Sequence, residues 1–356
     1  MGLCNLEENM VSSTSPRRKV TMADVAAAAG VHSSTVSRAL NPDTRKMVVP
    51  ELVDRVLAAA KDLGYRIDPI AKSLRTGKSR LIGVLIPDIA NTLFAPILSG
   101  INDWLLNTGY SVIVAEVGND VAKQLELAER LAAQRIDGLV LGTVARSDPL
   151  VDFCINNGIP AVLVNRAETS SRLSAVISDD MAGMQIAVEH LHQLGHRKIA
   201  HIAGPPEHST GFLRRRGFDF AASSLELKDL PCEVASAYNR SEGASAMSRL
   251  LDRRPDITAV AAANDLLALG AYDALALRSL SCPDDVSIIG HNDMPLMDIV
   301  HPPLTTIRIG HKEMGRQAAQ LLQQAIERND QTCRNIVLPA SLIVRKSTLP
   351  PGSRRG

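Results

Sequence analysis

Aromatic side chains are scarce in this sequence of 356 residues, where Phe, Tyr and Trp together make up 3% and Trp occurs once. Few of them are available as platforms for unpaired bases, so recognition of single-stranded nucleic acid by stacking is disfavoured. The sequence also has no uncharged apolar run approaching about 18 residues and no apolar core of a secretory signal near its start. We expect a cytoplasmic protein that does not enter a membrane.

Cysteine pairs and a strong net charge are also missing. The five cysteines lie far apart, and none of them are spaced as in a zinc site or a CxxC motif, which is typical of a reducing compartment. A formal net charge of +1 excludes a disordered acidic chain and a uniformly basic coat protein. The charge is nevertheless uneven: residues 1–80 hold 13 Lys and Arg against 8 Asp and Glu, which leaves 26 against 30 in the remainder. Only the front part is therefore expected to meet a polyanion such as nucleic acid.

From residue 81 onward, apolar runs alternate with amphipathic stretches, which is the pattern of repeated strand–helix units. The predicted strands are Leu81–Pro87, Ser111–Val117, Gly138–Val144, Ala161–Asn165, Lys198–Ala203, Ile257–Ala262 and Val286–Gly290. The predicted helices are Phe94–Leu106, Lys123–Gln134, Met181–Leu194, Gly211–Ser224, Ser241–Leu251, Leu266–Arg278 and Lys312–Arg328. Near-continuous apolar strands indicate parallel sheets covered on both faces. We predict an α/β body of two lobes, with a ligand cleft beyond the carboxyl ends of the strands.

The front of the chain has the spacing of a helix-turn-helix. Thr21 and Asp24 form a capping-box pattern that starts a helix over Met22–Ala29, and Gly30 can end it. After a turn of three residues, a second helix is predicted over Ser33–Leu40. Its polar side chains could reach base edges in a major groove; they are Ser33, Ser34, Ser37 and Arg38. Spacing alone leaves open an ordinary helical hairpin with a solvated face.

The residues themselves favour DNA binding. The matching segments are Val20-Thr21-Met22-Ala23-Asp24-Val25-Ala26, Ala29-Gly30-Val31, Thr35-Val36-Ser37-Arg38-Ala39-Leu40-Asn41, Leu63-Gly64-Tyr65 and Ala71-Lys72-Ser73-Leu74-Arg75. They strongly resemble the DNA-binding headpiece of the LacI/GalR family of bacterial transcription regulators. The resemblance implies a homodimer, or a tetramer, on a palindromic double-stranded operator with the second helix in the major groove. The implied DNA-binding residues are Thr21, Ser33, Ser34, Thr35, Ser37, Arg38, Lys72 and Leu74.

The resemblance also implies a hinge helix near Pro69–Arg75 that orders on DNA, where Lys72 contacts phosphate and Leu74 wedges between base pairs. A plainer role for Leu74, as a linker residue that docks on the body, remains open. Two helix-cap positions of the headpiece depart from the family pattern: His32 and Val49 stand where a capping Ser is usual. Both are poor caps, each costing on the order of 1 kcal/mol. We therefore expect a headpiece that is only marginally ordered without DNA.

The body resembles the same family's periplasmic-binding-like core. The matching segments are Leu81–Asp88, His190–His196 with Gly204-Pro205, Asn264-Asp265, Ala268-Leu269-Gly270 and Pro303-Leu304-Thr305-Thr306. One lobe is expected at 81–180 plus a return segment, and the other at 181–305 plus the C-terminal strands. The domain divisions expected are a tail at 1–18, a helix-turn-helix domain at 19–66, a hinge and linker at 67–80, the two-lobed effector and dimerisation domain at 81–348, and a loose tail at 349–356.

Several residues are candidates for contacting an effector. Asp265 directly follows an apolar strand and is the best single candidate, although it could also cap the helix that follows. Asn165 stands where the family more often has Asp, and an amide both donates and accepts, so the effector could differ from a plain neutral sugar. The family match adds Arg214 and Thr210, while Phe94 and Tyr238 are stacking candidates for which core packing is equally expected. Asn292 is a weaker candidate.

Together these patterns predict a transcription regulator, best described as a repressor, whose operator affinity is controlled by a sugar or sugar derivative bound between the lobes. No catalysis and no cofactor are expected, because the sequence contains no P-loop, GxSxG or intact GxGxxG motif. Metal binding by His190, His192 and His196 is rejected, because Gly195 interrupts the helix between them. The alternatives are a solute-binding protein or a sugar-acting enzyme on the same two-lobed fold.

Overall fold

The computed structural model describes residues 20–41, 44–66, 78–328 and 332–352. The chain divides into two compact units, Met1–Gly77 and Lys78–Gly356. The predicted tail at 1–18 and the predicted hinge helix, with Lys72 and Leu74, lie outside the described residues.

The first unit contains the predicted helix-turn-helix. Its helices are α1 (Met22–Ala29), α2 (Ser33–Leu40) and α3 (Pro50–Asp62), with one 3₁₀ turn at Arg45–Met47. The helices enclose a small apolar core built from Val25, Ala26, Ala29, Val36, Ala39, Val53, Val56 and Ala60. The bounds of α1 and α2 are those that the sequence predicts, because cap and apolar spacing agree at both helices.

The ends of α1 are held as expected. The Thr21 hydroxyl oxygen accepts from the Asp24 backbone N–H at 3.3 Å, and the Asp24 carboxylate accepts from the Thr21 backbone N–H at 2.7 Å. Gly30 adopts a left-handed φ of 61°, which glycine takes at little cost. A contact that the sequence analysis did not find completes this end: Arg55 of α3 donates to the Ala29 carbonyl at 2.7 Å.

The expectation that His32 caps poorly is wrong. Its Nδ1 accepts from the Ser34 backbone N–H at 3.2 Å, so the imidazole replaces the usual hydroxyl as the cap of α2. Val49 provides no side-chain cap for α3, as expected, but Pro50 follows at the first helical position, where a missing N–H costs nothing. Of the two caps expected to be missing from the headpiece, only the side-chain cap of α3 is therefore absent.

The second unit contains two six-stranded sheets. The first sheet has the order β2-β1-β3-β4-β5-β11, and the second has the order β7-β6-β8-β9-β10-β12. The strands are β1 (Leu81–Ile86), β2 (Ser111–Glu116), β3 (Gly138–Leu141), β4 (Ala161–Val164), β5 (Ser174–Ser178), β6 (Ile199–Ala203), β7 (Cys232–Val234), β8 (Ala259–Ala262), β9 (Ser287–Asn292), β10 (Thr305–Arg308), β11 (Asn335–Leu338) and β12 (Ser341–Ile343). The pairings are parallel except for that of β10 with β12.

Helices connect these strands, as the parallel pairings require. They are α4 (Phe94–Asn107), α5 (Val121–Ala133), α6 (Pro149–Asn156), α7 (Asp180–Gln193), α8 (Ser209–Ser224), α9 (Arg240–Arg253), α10 (Asp265–Leu277) and α11 (His311–Arg328). All seven predicted strands and all seven predicted helices of the body are present. Helix α6 and five strands are not predicted from the sequence, because they are short or rich in polar residues; the strands are β5, β7, β10, β11 and β12.

The chain passes between the two sheets three times. It leaves the first sheet after β5, returns to it with α11 and β11, and ends its strands with β12 in the second sheet. The return is close packed: a Cβ on Gly100 would lie 2.1 Å from the Lys312 carbonyl oxygen, and one on Gly315 would lie 2.0 Å from that of Ile97. Backbone contact of this kind between α4 and α11 requires glycine at both positions.

Two predicted boundaries need correction. Residues 78–80 belong to the body rather than to a linker, because the Asp137 carboxylate accepts from the backbone N–H groups of Ser79 and Arg80 at 2.8 and 3.1 Å. Leu349 is not the start of a loose tail. Its backbone N–H donates to the Ser287 hydroxyl at 3.0 Å, and its carbonyl oxygen lies 2.8 Å from His196 Nε2.

Candidate functional site

The exposed face of α2 is the candidate DNA-reading surface. Ser34 and Arg38 are exposed and lie one helical turn apart, whereas Val36 and Ala39 on the opposite face are buried. The Arg38 guanidinium forms no hydrogen bond or ion pair within the described part of the chain. A long donor that has no partner among the described residues and stands beside small hydroxyl groups is suited to contacting base edges.

The other predicted DNA-binding residues surround this face. Ser33, Thr35 and Ser37 are half-buried on α2. Thr21 is exposed, but its hydroxyl is engaged in the cap of α1, from which it donates to the Asp24 carboxylate at 2.7 Å. Lys72 and Leu74 are outside the described residues, so their roles stay predictions.

The second unit holds a pocket where strands of both sheets end. Asn91 and Phe94 follow β1, Asn165 follows β4, and Asn292 is the last residue of β9. The carboxyl ends of parallel strands are the expected ligand position in such sheets. The lining residues are Asn91, Leu93, Phe94, Asn165, Arg166, Thr210, Arg214, Tyr238, Asn264 and Asn292.

Six of the seven predicted effector residues therefore lie together in this lining, and Asp265 does not. The sequence analysis missed Asn91, Leu93, Arg166 and Asn264. Two of these could have been found, because Arg166 directly follows the predicted Asn165 and Asn264 directly precedes Asp265. Asn264 is the residue that caps α10, with its side-chain oxygen 2.9 Å from the Leu267 backbone N–H.

The expectation that the Asp265 carboxylate faces a ligand is not supported by its position. Asp265 is fully buried, and its two oxygens accept from the Met294 backbone N–H at 2.7 Å and the Thr306 hydroxyl at 2.6 Å. Burial raises the pKa of this carboxyl to about 7. Asp265 instead supports the turn after β9, where Asn292 has a φ of 117°. Asp265 lies in the first turn of α10, directly after the cap residue Asn264, which does line the pocket.

Arg214 is the most highly bonded side chain of the pocket. It donates to Asp180 Oδ1 from Nε at 2.8 Å, to the Ala263 carbonyl oxygen from Nη1 at 2.6 Å, and to the Asn292 side-chain oxygen from Nη2 at 3.0 Å. Nη2 also lies 2.7 Å from Asp180 Oδ1, so the guanidinium is paired with a carboxylate. These bonds connect α7, α8 and the ends of β8 and β9. Arg214 thus organises the second-sheet side of the pocket.

The ionisation of this group is set by burial and by neighbouring charges. Burial alone would raise the pKa of Asp180, but Arg214 and His291 outweigh it, and the pKa lies below its usual value. Burial, together with Arg214, lowers the pKa of His291 to about 4. Near neutral pH the arrangement is therefore an ion pair beside a neutral imidazole.

Tyr238 and Thr210 form a polar edge of the pocket. Their hydroxyl oxygens lie 3.1 Å apart, and burial raises the pKa of Tyr238. A Cβ on Gly204 would stand 2.2 Å from the Tyr238 hydroxyl oxygen, so only glycine leaves room for this ring. Phe94 is 2% exposed and packs in the core while one edge lines the pocket, so packing and ligand contact are combined.

The histidines that invite comparison with a metal site have other partners. His190 Nε2 lies 3.0 Å from the Thr348 hydroxyl, and His196 lies 2.9 Å from the Thr258 hydroxyl. They connect α7 and the following turn to the C-terminal segment. Within residues 20–41, 44–66, 78–328 and 332–352, no group of three or more His, Cys, Asp or Glu is placed to hold a metal ion. In the same ranges, no helix combines the length and apolar character needed to cross a membrane.

Comparisons with known proteins match parts of both units of the chain. The family model of bacterial regulatory proteins of the lacI family matches residues 21–68, and that of the periplasmic binding protein-like domain matches residues 188–348. The HTH-type transcriptional repressor PurR of Haemophilus influenzae is 32% identical over 333 residues, covering 92% of this chain and 98% of PurR.

Solved structures give the same result over the whole length. The Lac repressor dimer bound to operator and the anti-inducer ONPF superposes with a TM-score of 0.84 at 28% identity, covering 93% of this chain and all of that one. The transcriptional regulator CelR–cellobiose complex gives a TM-score of 0.71 at 30% identity, with 92% and 99% covered. The chain therefore belongs to the lacI family of bacterial regulatory proteins and is a transcription regulator with a helix-turn-helix DNA-binding domain.

Proposed function

We propose that this protein is a cytoplasmic repressor that binds a palindromic operator as a dimer and changes its operator affinity when a small sugar-like effector occupies the pocket. The observation that carries the proposal is that one chain contains both a helix-turn-helix and a polar pocket. The helix-turn-helix has an exposed arginine, Arg38, whose guanidinium has no partner among the described residues, and the pocket lies at the carboxyl ends of parallel strands in two sheets. A DNA reader and a small-molecule site on one polypeptide are what ligand-controlled regulation requires.

The form of α2 supports contact with duplex DNA. Its eight residues place Ser34 and Arg38 on one exposed face, and its N-terminus carries no acidic residue that would repel phosphate. Arg contributes to specificity through bidentate bonds to guanine, worth about 1–3 kcal/mol. The Lac repressor structure named above contains an operator and a dimer, which supports the same partner and oligomer here.

The pocket supports control by a ligand because both sheets contribute to it. Asn165 and Phe94 belong to the first sheet's side, whereas Thr210, Arg214 and Asn292 belong to the second. A ligand that bonds to both sides favours one arrangement of the two lobes over others. We infer that this arrangement alters the pairing of hinge segments in the dimer, with a coupling energy of about 1–3 kcal/mol felt equally by effector and operator.

The two alternatives have less support. A transport-type solute-binding protein has no use for the headpiece, and an enzyme needs reacting groups at the pocket, where the described lining contains amides, hydroxyls and guanidiniums but no Asp, Glu or Cys. The relatives named above are a repressor and regulators.

Fluorescence anisotropy with labelled duplexes tests the DNA-binding part. The full chain should bind a subset of genomic promoter fragments, and the slope of log affinity against log salt should be steep, with about 0.9 counterions released per phosphate contact. Arg38→Ala should weaken specific binding by about 10- to 100-fold, whereas Arg130→Ala, which removes an exposed arginine of α5, should not. Absence of specific duplex binding by the wild-type chain would refute the proposal.

A further inference from the structure

The charge of the pocket points beyond a neutral sugar. Resting on the proposed function, we propose that the effector carries an oxyanion, a carboxylate or a phosphate, and that Arg166 binds it. Apart from Leu93 and Phe94, the side chains of the described lining are four amides, two hydroxyls and two guanidiniums. No carboxylate is among them, so a ligand must supply any negative charge that these arginines meet in the pocket.

The two arginines differ in how the protein itself neutralises them. Arg214 lies 2.7 Å from the Asp180 carboxylate and is fully engaged on its own side of the pocket. Arg166 is also buried, with 6% of its surface exposed against 2% for Arg214, yet the one hydrogen bond of its guanidinium within the described chain is from Nη1 to the Thr143 carbonyl oxygen at 3.1 Å. No described carboxylate stands within ion-pairing distance of it. Among the residues that the structure describes, Arg166 is therefore a buried cation without a counterion.

The nearest negative groups are already committed. Asp148 caps α6, and its carboxylate accepts from the backbone N–H groups of Ala145 and Leu150 at 2.7 and 2.9 Å. Glu207 is exposed to solvent, where water screens its charge. Burial lowers the pKa of Arg166 to about 10, which still leaves the guanidinium charged near neutral pH. An unpaired charge in such a position is costly unless a ligand completes it.

Backbone dipoles at helix N-termini also favour an anion in the pocket. Three helices begin at the pocket: α4 with Phe94, α8 with Thr210 in its first turn, and α10 with its cap Asn264. The N-terminus of a helix carries a partial positive charge and unpaired N–H groups, both of which favour an anion. Guanidinium binds carboxylate and phosphate through paired N–H donors, so Arg166 fits either oxyanion.

The experiment compares matched compounds on the full-length protein. Two sets of compounds are titrated in thermal-shift and calorimetric assays: glucose with glucuronate and glucose 6-phosphate, and ribose with ribose 5-phosphate. The proteins are wild type, R166M, R166K and the control R216M, which removes an exposed arginine of α8. We expect one anionic compound to bind wild type and R216M at least about tenfold more tightly than its neutral partner. R166M should abolish this preference, and R166K should retain part of it. Preferred binding of glucuronate would identify a carboxylate as the effector's anionic group, and preferred binding of a sugar phosphate would identify a phosphate.

Without any compound, R166M should melt at or above the temperature of wild type, because an apolar side chain of similar length removes an unpaired buried charge. A lower melting temperature would show that the chain itself satisfies the guanidinium, and would overturn the inference. Equal or tighter binding of a neutral sugar, an anion preference that survives in R166M, or no response to any anion would also overturn it. Operator binding by the same samples tests the proposed function separately, since DNA binding without an anion preference removes only the present inference.

Discussion

A substitution at Asp265 tests how burial of a carboxyl group changes the pH dependence of the free energy of unfolding. The substitution is Asp265→Asn, which keeps the size of the side chain and removes its charge. The Asn oxygen can accept from the Met294 N–H, and the Thr306 hydroxyl can rotate to accept from the new amide, so both neighbours of the carboxylate keep a partner. The substitution therefore isolates the cost of a buried charge.

The magnitude follows from the raised pKa. Burial shifts the pKa of Asp265 from 3.8 to about 7, a difference of about 3 units, and each unit is worth 1.36 kcal/mol. Because the folded state holds the proton more tightly than the unfolded state, the free energy of unfolding contributed by Asp265 is greatest below pH 4 and falls as pH rises to about 7. Relative to wild type, Asp265→Asn should therefore gain up to about 4 kcal/mol between the acid and neutral ends of this range.

The assay is urea unfolding of wild type and variant at a series of pH values from about 4.5 to 8, with the difference in unfolding free energy plotted against pH. The difference is the informative quantity, because the buried histidines act in the opposite direction. Burial lowers the pKa of His201 and His311 to about 4, so both proteins lose stability together as the pH falls below about 6.5. Asp298→Asn, at an exposed carboxylate, is the matched control. A difference between wild type and Asp265→Asn that does not vary with pH would refute the reasoning.

Three further predictions concern other parts of the molecule. Thr21→Ala removes the capping box and should destabilise the headpiece by about 1 kcal/mol, seen as faster amide exchange in α1; unchanged protection would contradict it. Arg38→Ala should weaken binding to the specific operator while changing the salt slope of that binding little, because base contacts release few counterions. An equal loss of affinity for random duplex would indicate that Arg38 contacts phosphate alone. Asp180→Asn leaves Arg214 buried without its carboxylate and should lower the free energy of unfolding by about 3–5 kcal/mol, measured by denaturant unfolding. A loss under about 1 kcal/mol would mean that the Ala263 carbonyl and Asn292 are sufficient to stabilise the buried guanidinium.

The fold was largely predictable from local signals. The capping box at Thr21, the glycine at position 30 and the apolar runs of the body each act over a few residues, and the corresponding helices and strands are present. What sequence reasoning missed depends on distant partners. Strand β11 is a strand because it pairs with β5, some 160 positions earlier, and nothing within its own four residues indicates this.

The pocket shows the same division. Strand ends were enough to find Asn165 and the neighbourhood of Asp265, because parallel strands gather their carboxyl ends. Strand ends do not decide which of two adjacent residues lines the pocket. Asn264 turns into the lining as a cap, while Asp265, one residue later, points under the turn after β9. Residue type is also a poor guide to the cap at position 32. The imidazole nitrogen of His32 accepts the backbone hydrogen bond that a serine hydroxyl usually accepts.

The late return of the chain to the first sheet has a consequence for synthesis. When a ribosome has released the polypeptide as far as β10, the edge of β5 and the face of α4 with Ile97 and Gly100 still await β11 and α11. The first lobe cannot be completed before the second has emerged, so both mature together near the end of translation. Premature termination just before residue 311 would leave an open strand edge and an uncovered apolar helix, which are the features that chaperones and proteases act upon.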